Sequence, residues 1–244
     1  MTDSYDKIFS TKKNILFIFA HPDDAEIYCG GLIARLVADK KSVKLVKMTT
    51  GNKGSRQEET TEEALAQTRE SEDAQALQIL GLSPDDSQNL NIGDGHIEPS
   101  LETIKKLTKV IRGFKPDLIV THNPEKVLIR DLDGNHYVNH RDHRNTAVST
   151  LDAAYPYSRD VLFFPDQLDE NHVSHSVTEF LFVDSWGDKD TVFIDITKLE
   201  SRRTQAIAAH ASQYTVDDAQ ASTDYFAQEK DGKRFEQFRY VVAD

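Results

Sequence analysis

The sequence predicts an α/β fold built on a doubly wound, mostly parallel sheet, and three observations carry that expectation. Two short apolar runs, NILFIFA at 14–20 behind Lys12 and Lys13 and PDLIVTH at 116–122, lack polar alternation, as strands buried on both faces do. Between them, strand-like and helix-like patterns alternate regularly. Such alternation favours parallel strands joined by right-handed crossovers.

The N-terminal MTDSYDKIFSTKK is polar and reads as a loose lead-in. After the first strand, Gly30, Gly31, Leu32, Ile33, Leu36 and Val37 recur at helical spacing. SVKLVKMT at 42–49 is a second strand, and TTGNKG follows it as a loop. Ala64, Leu65, Ala74, Leu77 and Leu80 place a helix over 57–80, ended by Gly81 at its C′ position. A short strand at 88–92 leads to the turn GDG at 93–95. Leu101, Ile104, Leu107 and Ile111 then form the stripe of a helix over 101–113, before the strand at 116–122. This order, βαβαβαβ, is that of a Rossmann-like doubly wound sheet.

The second half is less regular. A long loop, 123–141, precedes a helix over 142–154, and extra extended segments fall at 177–184 and 190–196. TKLE at 197–200 has the spacing of a capping box, so a helix is expected from there to His210. No repeat, low-complexity tract or Gly/Pro/Ser-rich linker interrupts the chain, and residues 1–244 are expected to form one domain.

Composition narrows the function. The 244 residues can bury a sizeable core, and no apolar run reaches the length of a membrane span. The lone cysteine, Cys29, excludes an internal disulfide and favours the cytoplasm. A formal net charge of −12 argues against nucleic acid or an anionic membrane surface as partner. Much of that charge sits on helical stretches such as EETTEEALAQTRESEDAQ and is a solvated face.

The chemistry gathers in two places. AHPDDAEIYCGG at 20–31 places His21, Asp23 and Asp24 where the first strand gives way to a helix, the edge at which open α/β sheets bind ligands. A nucleotide loop is disfavoured: G-x-G-x-x-G is missing, and three carboxylates would repel a pyrophosphate. A histidine beside carboxylates suits a cation instead, although Pro22-Asp23-Asp24 also reads as a turn with an N-cap. The second cluster, NHYVNHRDHR at 135–144, holds His136, His140 and His143, with His140 and His143 spaced to face one way on a helix. It follows the strand ending at His122, so both clusters are expected at the same sheet edge. A His/Asp/His metal site there would leave a coordination position open for water, as catalytic sites require.

These residues carry a resemblance. HPDDAE is similar to the H-P-D-D-x-E signature of the LmbE/PIG-L family of zinc-dependent N-acetylglucosaminyl deacetylases, and HRDHR resembles its later H-P-D-H motif. Thr50-Gly51, Arg69 with Glu72, Leu80-Gly81, Asp94-Gly95 and HASQ at 210–213 fall in the family's order, so the resemblance runs from about residue 14 to 213. It implies one Zn²⁺ per chain on His21, Asp24 and His143, with other divalent metals accepted by the same donors. It also implies Asp23 as general base and His140 as the histidine at the substrate carbonyl. In that scheme His140 is protonated and Asp142 orients it and holds it charged. Either Asp23 or His140 returns a proton to the leaving amine. Arg69 and Asp94 match sugar-contacting positions.

Two departures stand out: Arg141 replaces the proline of the second motif, and Asn52 replaces a common glutamate. Glu26 is expected to anchor the turn or support a ligand from behind, and His210 to close the pocket or cap a helix. His96, His122, His172 and His175 are expected to face solvent or to be bonded structurally. The function expected is removal of acetyl from a small N-acetylglucosamine-type substrate by metal-activated water. The rival is a Rossmann-like metal- or nucleotide-binding module without hydrolysis. A homo-oligomer is left open.

Overall fold

The computed structural model describes all residues except Gln57, Leu132 and Asp244. Three points of the expected layout therefore lie outside the described residues: the start of the 57–80 helix, one position of the 123–141 loop and the last residue of the domain. In chain order the strands are β1 (Asn14–Phe19), β2 (Ser42–Lys47), β3 (Ser87–Asn89), β4 (Leu118–Thr121), β5 (Leu128–Arg130), β6 (His136–Val138), β7 (Glu179–Phe182), β8 (Thr191–Asp195), β9 (Ala227–Lys230) and β10 (Lys233–Val242). The helices are α1 (Tyr5–Phe9), α2 (Asp24–Ala38), α3 (Glu62–Leu80), α4 (Leu101–Phe114), α5 (Arg141–Asp152), α6 (Glu200–Ala208) and α7 (Val216–Phe226).

β1 is central, pairing parallel with β2 from Asn14 opposite Ser42 and with β4 from Ile15 opposite Leu118. The sheet order is β3-β2-β1-β4-β7-β10-β8, with β9 paired to β10. The chain first builds outward through β2 and β3, then crosses to β4 on the other side of β1. That reversal opens a crevice at the C-terminal ends of β1 and β4. The order from β3 to β7 is all parallel, and β10 runs antiparallel to both its neighbours in that order. The mostly parallel, doubly wound expectation holds.

β1 shows why its sequence has no polar alternation. Ile15, Phe17 and Phe19 pack with Cys29, Leu32 and Leu36 of α2 and Leu77 and Leu80 of α3. Leu16, Ile18 and Ala20 point the other way, against Ile104, Leu107 and Ile111 of α4. Successive side chains alternate faces, and both faces are covered.

Several expectations change. The N-terminal lead-in is ordered: α1 buries Tyr5, Ile8 and Phe9, and the Arg35 guanidinium lies 3.8 Å over the Tyr5 ring. Leu101 is 61% exposed rather than part of the α4 stripe, because Ser100 caps the helix and places Leu101 at its fraying first turn. The 123–141 loop contains the β5–β6 hairpin. The helix expected after TKLE exists but begins at Glu200 with no side-chain cap, since the Thr197 hydroxyl donates to Asp195 Oδ1 instead. A capping box does form farther along, Thr215 with Asp218, and opens α7. Gly81 does end α3, at φ 88°, where only glycine is unstrained.

The glycine pair of AHPDDAEIYCGG has a packing explanation. A Cβ on Gly31 would lie 2.6 Å from Ile196 Cγ2, and one on Gly30 would lie 3.0 Å from Arg203 Cγ. The close approach lets buried Glu236 accept from the Gly31 and Leu32 N–H groups at 2.8 Å each. Arg203 pairs with Glu236 at 3.0 Å and donates to the Ile27 carbonyl. An uninterrupted helix would join Gly31 N–H to that carbonyl, so the ion pair inserts into the helical ladder. Helix propensity alone makes Gly31→Ala stabilising by about 1 kcal/mol. We expect the opposite, a loss of about 1–3 kcal/mol from overpacking against Ile196, read as a lower urea midpoint at unchanged slope.

Candidate active site

The turn after β1 sets two adjacent carboxylates in different directions. Asp23 occupies the N-cap position of α2 at φ 105°, a conformation that side-chain-bearing residues rarely adopt. Its side chain therefore makes no capping bond, and Oδ2 faces Arg69 Nη2 at 2.9 Å and the Tyr214 hydroxyl at 3.3 Å. Burial pushes the Asp23 carboxyl up to about 6, against the Arg69 guanidinium that pulls it down.

Asp24 turns toward the sheet. Its Oδ2 accepts the His21 N–H at 2.8 Å and lies 3.5 Å from His21 Nδ1 and 3.4 Å from His122 Nε2. Oδ1 lies 3.2 Å from His143 Nε2. Burial opposes its ionisation, yet the His143 and His122 rings hold the carboxyl well below its ordinary range. The His143 ring is driven down to about 4 by burial, which keeps it neutral and fit to ligate.

Asp24 thus lies between the two histidines expected to ligate with it, His21 and His143, and the donors fall in two overlapping groups. Donor atoms of His21, His140 and His143 lie within 4.8 Å of one another, as do those of Asp24, His122 and His143. A neutral imidazole facing a buried carboxylate, with oxygen and nitrogen donors converging, is the donor set of a divalent metal.

His140 caps α5: its Nδ1 accepts the Asp142 N–H at 3.1 Å. A backbone N–H can only donate, so Nδ1 is bare and the proton of the neutral ring sits on Nε2. This corrects the expected charged His140 held by Asp142. The Asp142 carboxylate turns away, accepting the Gly95 N–H at 2.6 Å and facing His21 Nε2 at 3.6 Å. Burial, then the His21 ring, hold His140 below its ordinary value.

Asp94 approaches His21 Nε2 at 3.2 Å and accepts the Lys53 N–H at 2.9 Å. Arg69 donates to the Gly51 carbonyl at 2.9 Å and to the Pro22 carbonyl, besides pairing with Asp23. Most of its donors are thus committed to the turn that carries Asp23. Arg141, in the place of a motif proline, ties the start of α5 to the 95–98 loop through the Gly95 and Ile97 carbonyls and Glu98. Asn52 donates to Glu62.

These groups line a cavity of about 490 Å³ with His21, Asp23, Asp24, Arg69, Asp94, His140 and His143 on its polar side. Ile27, Tyr28 and Phe226 supply an apolar wall, and Tyr214 and Lys53 also reach it. His136 is outside, exposed on β6. His210 is wholly buried beside Glu26, at 3.5 Å, rather than closing the pocket. His122, expected to face solvent or to be bonded structurally, is buried and stacked on His143 at 3.9 Å between ring centres. Sequence reasoning missed Tyr214, although it follows HASQ directly. It also missed Tyr28 and Phe226, which look like ordinary core aromatics.

Residues 16–154 match the family described as PIG-L: GlcNAc-PI de-N-acetylase. The diacetylchitobiose deacetylase of Thermococcus kodakarensis is 26% identical, over 86% of this chain and 73% of that relative. The 1D-myo-inositol 2-acetamido-2-deoxy-alpha-D-glucopyranoside deacetylase of Segniliparus rotundus is 33% identical, over 45% of this chain and 43% of the relative. Among solved structures, N,N'-diacetylchitobiose deacetylase from Pyrococcus horikoshii, complexed with its inhibitor MPG, superposes with a TM-score of 0.82 at 26% identity, covering 96% of this chain and 85% of that one. With more than half of its length matched and the HPDDAE and HRDHR segments meeting in one cavity, the chain belongs to the PIG-L family of GlcNAc-PI de-N-acetylases.

Proposed function

We propose that the chain is a zinc-dependent N-deacetylase that removes acetyl from a small N-acetylglucosamine-type substrate. The observation that carries this is that three metal-type donors, His21, Asp24 and His143, line one cavity with a buried carboxylate, Asp23, and a ring donor, His140. A nucleotide-binding module without hydrolysis would need neither Asp23 nor His140, and the carboxylates at this helix start oppose a phosphate.

His21, Asp24 and His143 would hold the ion. The chemistry a divalent cation supplies at such a site is Lewis acidity, which acidifies water and polarises a carbonyl. The chain's own residues do the rest. Asp23, raised to about 6, accepts a proton from the attacking water as the C–O bond forms. Arg69 and Tyr214 fix the orientation of its carboxylate. His140, with its Nδ1 occupied, presents Nε2–H to the acetyl oxygen as negative charge develops there. Asp23 then returns its proton to the nitrogen as the C–N bond breaks, releasing acetate and a free amine. Ile27, Tyr28 and Phe226 face the apolar side of the sugar, while Asp94 and Arg69 face its hydroxyls.

No helix among the described residues is long and apolar enough to cross a membrane. We place the protein in the cytoplasm on its single, buried thiol. We read the chain as one domain, because α1 and β10, from opposite ends of the sequence, both pack on the same sheet.

Three outcomes test this reading. The purified protein should carry about one divalent ion per chain by elemental analysis, and His143→Ala should lose it; full occupancy in that variant would refute the ligand assignment. Asp23→Asn should keep the metal while kcat on an N-acetylglucosaminide, followed by amine release, falls about 10²–10⁴-fold. Near-normal turnover would remove Asp23 from the chemistry. His140→Ala should lower kcat strongly with metal content intact, whereas metal loss would make His140 a ligand.

A further inference from the structure

His122 and Asp184 have no place in the reaction just described, yet both are buried completely or nearly so, His122 against Asp24 and His143 and Asp184 behind His122. The His122 ring is wholly buried at the end of β4. It stacks on His143, with ring centres 3.9 Å apart and planes 11° from parallel, and its Nε2 lies 3.4 Å from Asp24 Oδ2. The Ala20 N–H also lies 3.4 Å from that nitrogen, and the second nitrogen of the ring is Nδ1. That Nδ1 faces Asp184 Oδ2 at 3.5 Å. Asp184 follows β7 at φ 56°, the left-handed region, which turns its carboxylate into the protein. His122 Nδ1 and both Asp184 oxygens are buried at separations longer than a full hydrogen bond, an arrangement that costs stability by itself.

We infer that Asp184 and His122 are positioning residues for the metal centre, a buried carboxylate–imidazole pair that holds Asp24 and His143 in ligating geometry. The contacts run from Asp184 to the His122 ring, and from that ring to Asp24 through Nε2 and to His143 through stacking. Carboxylates behind histidines commonly fix the orientation of metal ligands, and removing them weakens metal binding about 10–100-fold. Here the pair acts on two ligands at once, from the β4 and β7 ends.

The inference rests on the proposed metal at His21, Asp24 and His143, and its test separates the two. Asp184→Asn preserves shape and suits the left-handed backbone, since asparagine tolerates positive φ well. Metal affinity would be measured by chelator competition on the full-length protein, with the Co²⁺-loaded absorption spectrum as a second readout. We expect Asp184→Asn to weaken Zn²⁺ about tenfold or more and to shift the Co²⁺ bands. His122→Ala should lose at least as much, and His122→Gln should recover part of it, because an amide can again reach Asp24. Wild-type affinity and an unmoved spectrum in Asp184→Asn overturn the inference alone. A wild-type protein that binds no divalent ion overturns the metal reading and this one with it.

Discussion

The site depends on keeping one carboxylate, that of Asp24, ionised inside the protein. An isolated buried charge costs far more than a fold of this size can absorb, so it must be surrounded by partners. The partners come from three places: the His21 backbone and ring in the same turn, His122 at the end of β4, and His143 in the first turn of α5. Because these segments meet only when β1 and β4 pair side by side, the parallel register of the two central strands is also the register of the site. Remove the ion that the cluster suits and three histidines and a carboxylate remain in contact. Such a cluster is adapted to hold a cation more than to stabilise the empty fold.

The strained turn at Asp23 is the second constraint. In an ordinary N-cap geometry the Asp23 side chain would bond to the helix behind it. At φ 105° it instead faces the cavity, where Arg69 holds it and the Pro22 and Gly51 carbonyls occupy other donors of the same guanidinium. A residue in such a region costs on the order of 1–3 kcal/mol and persists only where surrounding contacts over-determine it. Arg69 supplies those contacts, and α3 is anchored further by Glu72, which accepts from the Ser212 N–H and hydroxyl at 2.6 and 2.7 Å. The motifs that line up along the sequence are therefore mechanically connected. Arg69 steadies Asp23, the proposed general base, Glu72 steadies the segment bearing Tyr214, and Tyr214 returns to Asp23.

Much of this was legible in the residues. β1 and β4 declare themselves as apolar runs without alternation, and α4 and the end of α3 follow from spacing and from Gly81, because periodicity and turn chemistry are local properties. The two His/Asp clusters could be placed on one sheet edge from strand order alone. The ambiguity was in what each local pattern was for. Thr197 and Glu200 have the spacing of a capping box, but Asp195 takes the threonine hydroxyl first. Gly30 and Gly31 mark a close approach, but only the packed structure shows that Ile196, Arg203 and Glu236 are what approaches.

The sequence by itself determined the doubly wound α/β class, the sheet edge that bears the chemistry and the candidate donors His21, Asp24 and His143. Tertiary structure alone decided how those groups are held. It placed His122 against Asp24 and His143 with Asp184 behind it, put the His140 proton on Nε2, committed Arg69 to Asp23 and brought Tyr214 to the same carboxylate from 191 residues away. It also added β9 and β10, which the sequence pattern leaves unassigned and which β7 and β8 flank through β10. The division has a physical cause. Strand and helix periods repeat within a few residues of chain, whereas the partner of a buried polar group is fixed by which distant backbone happens to pass within 3 Å of it.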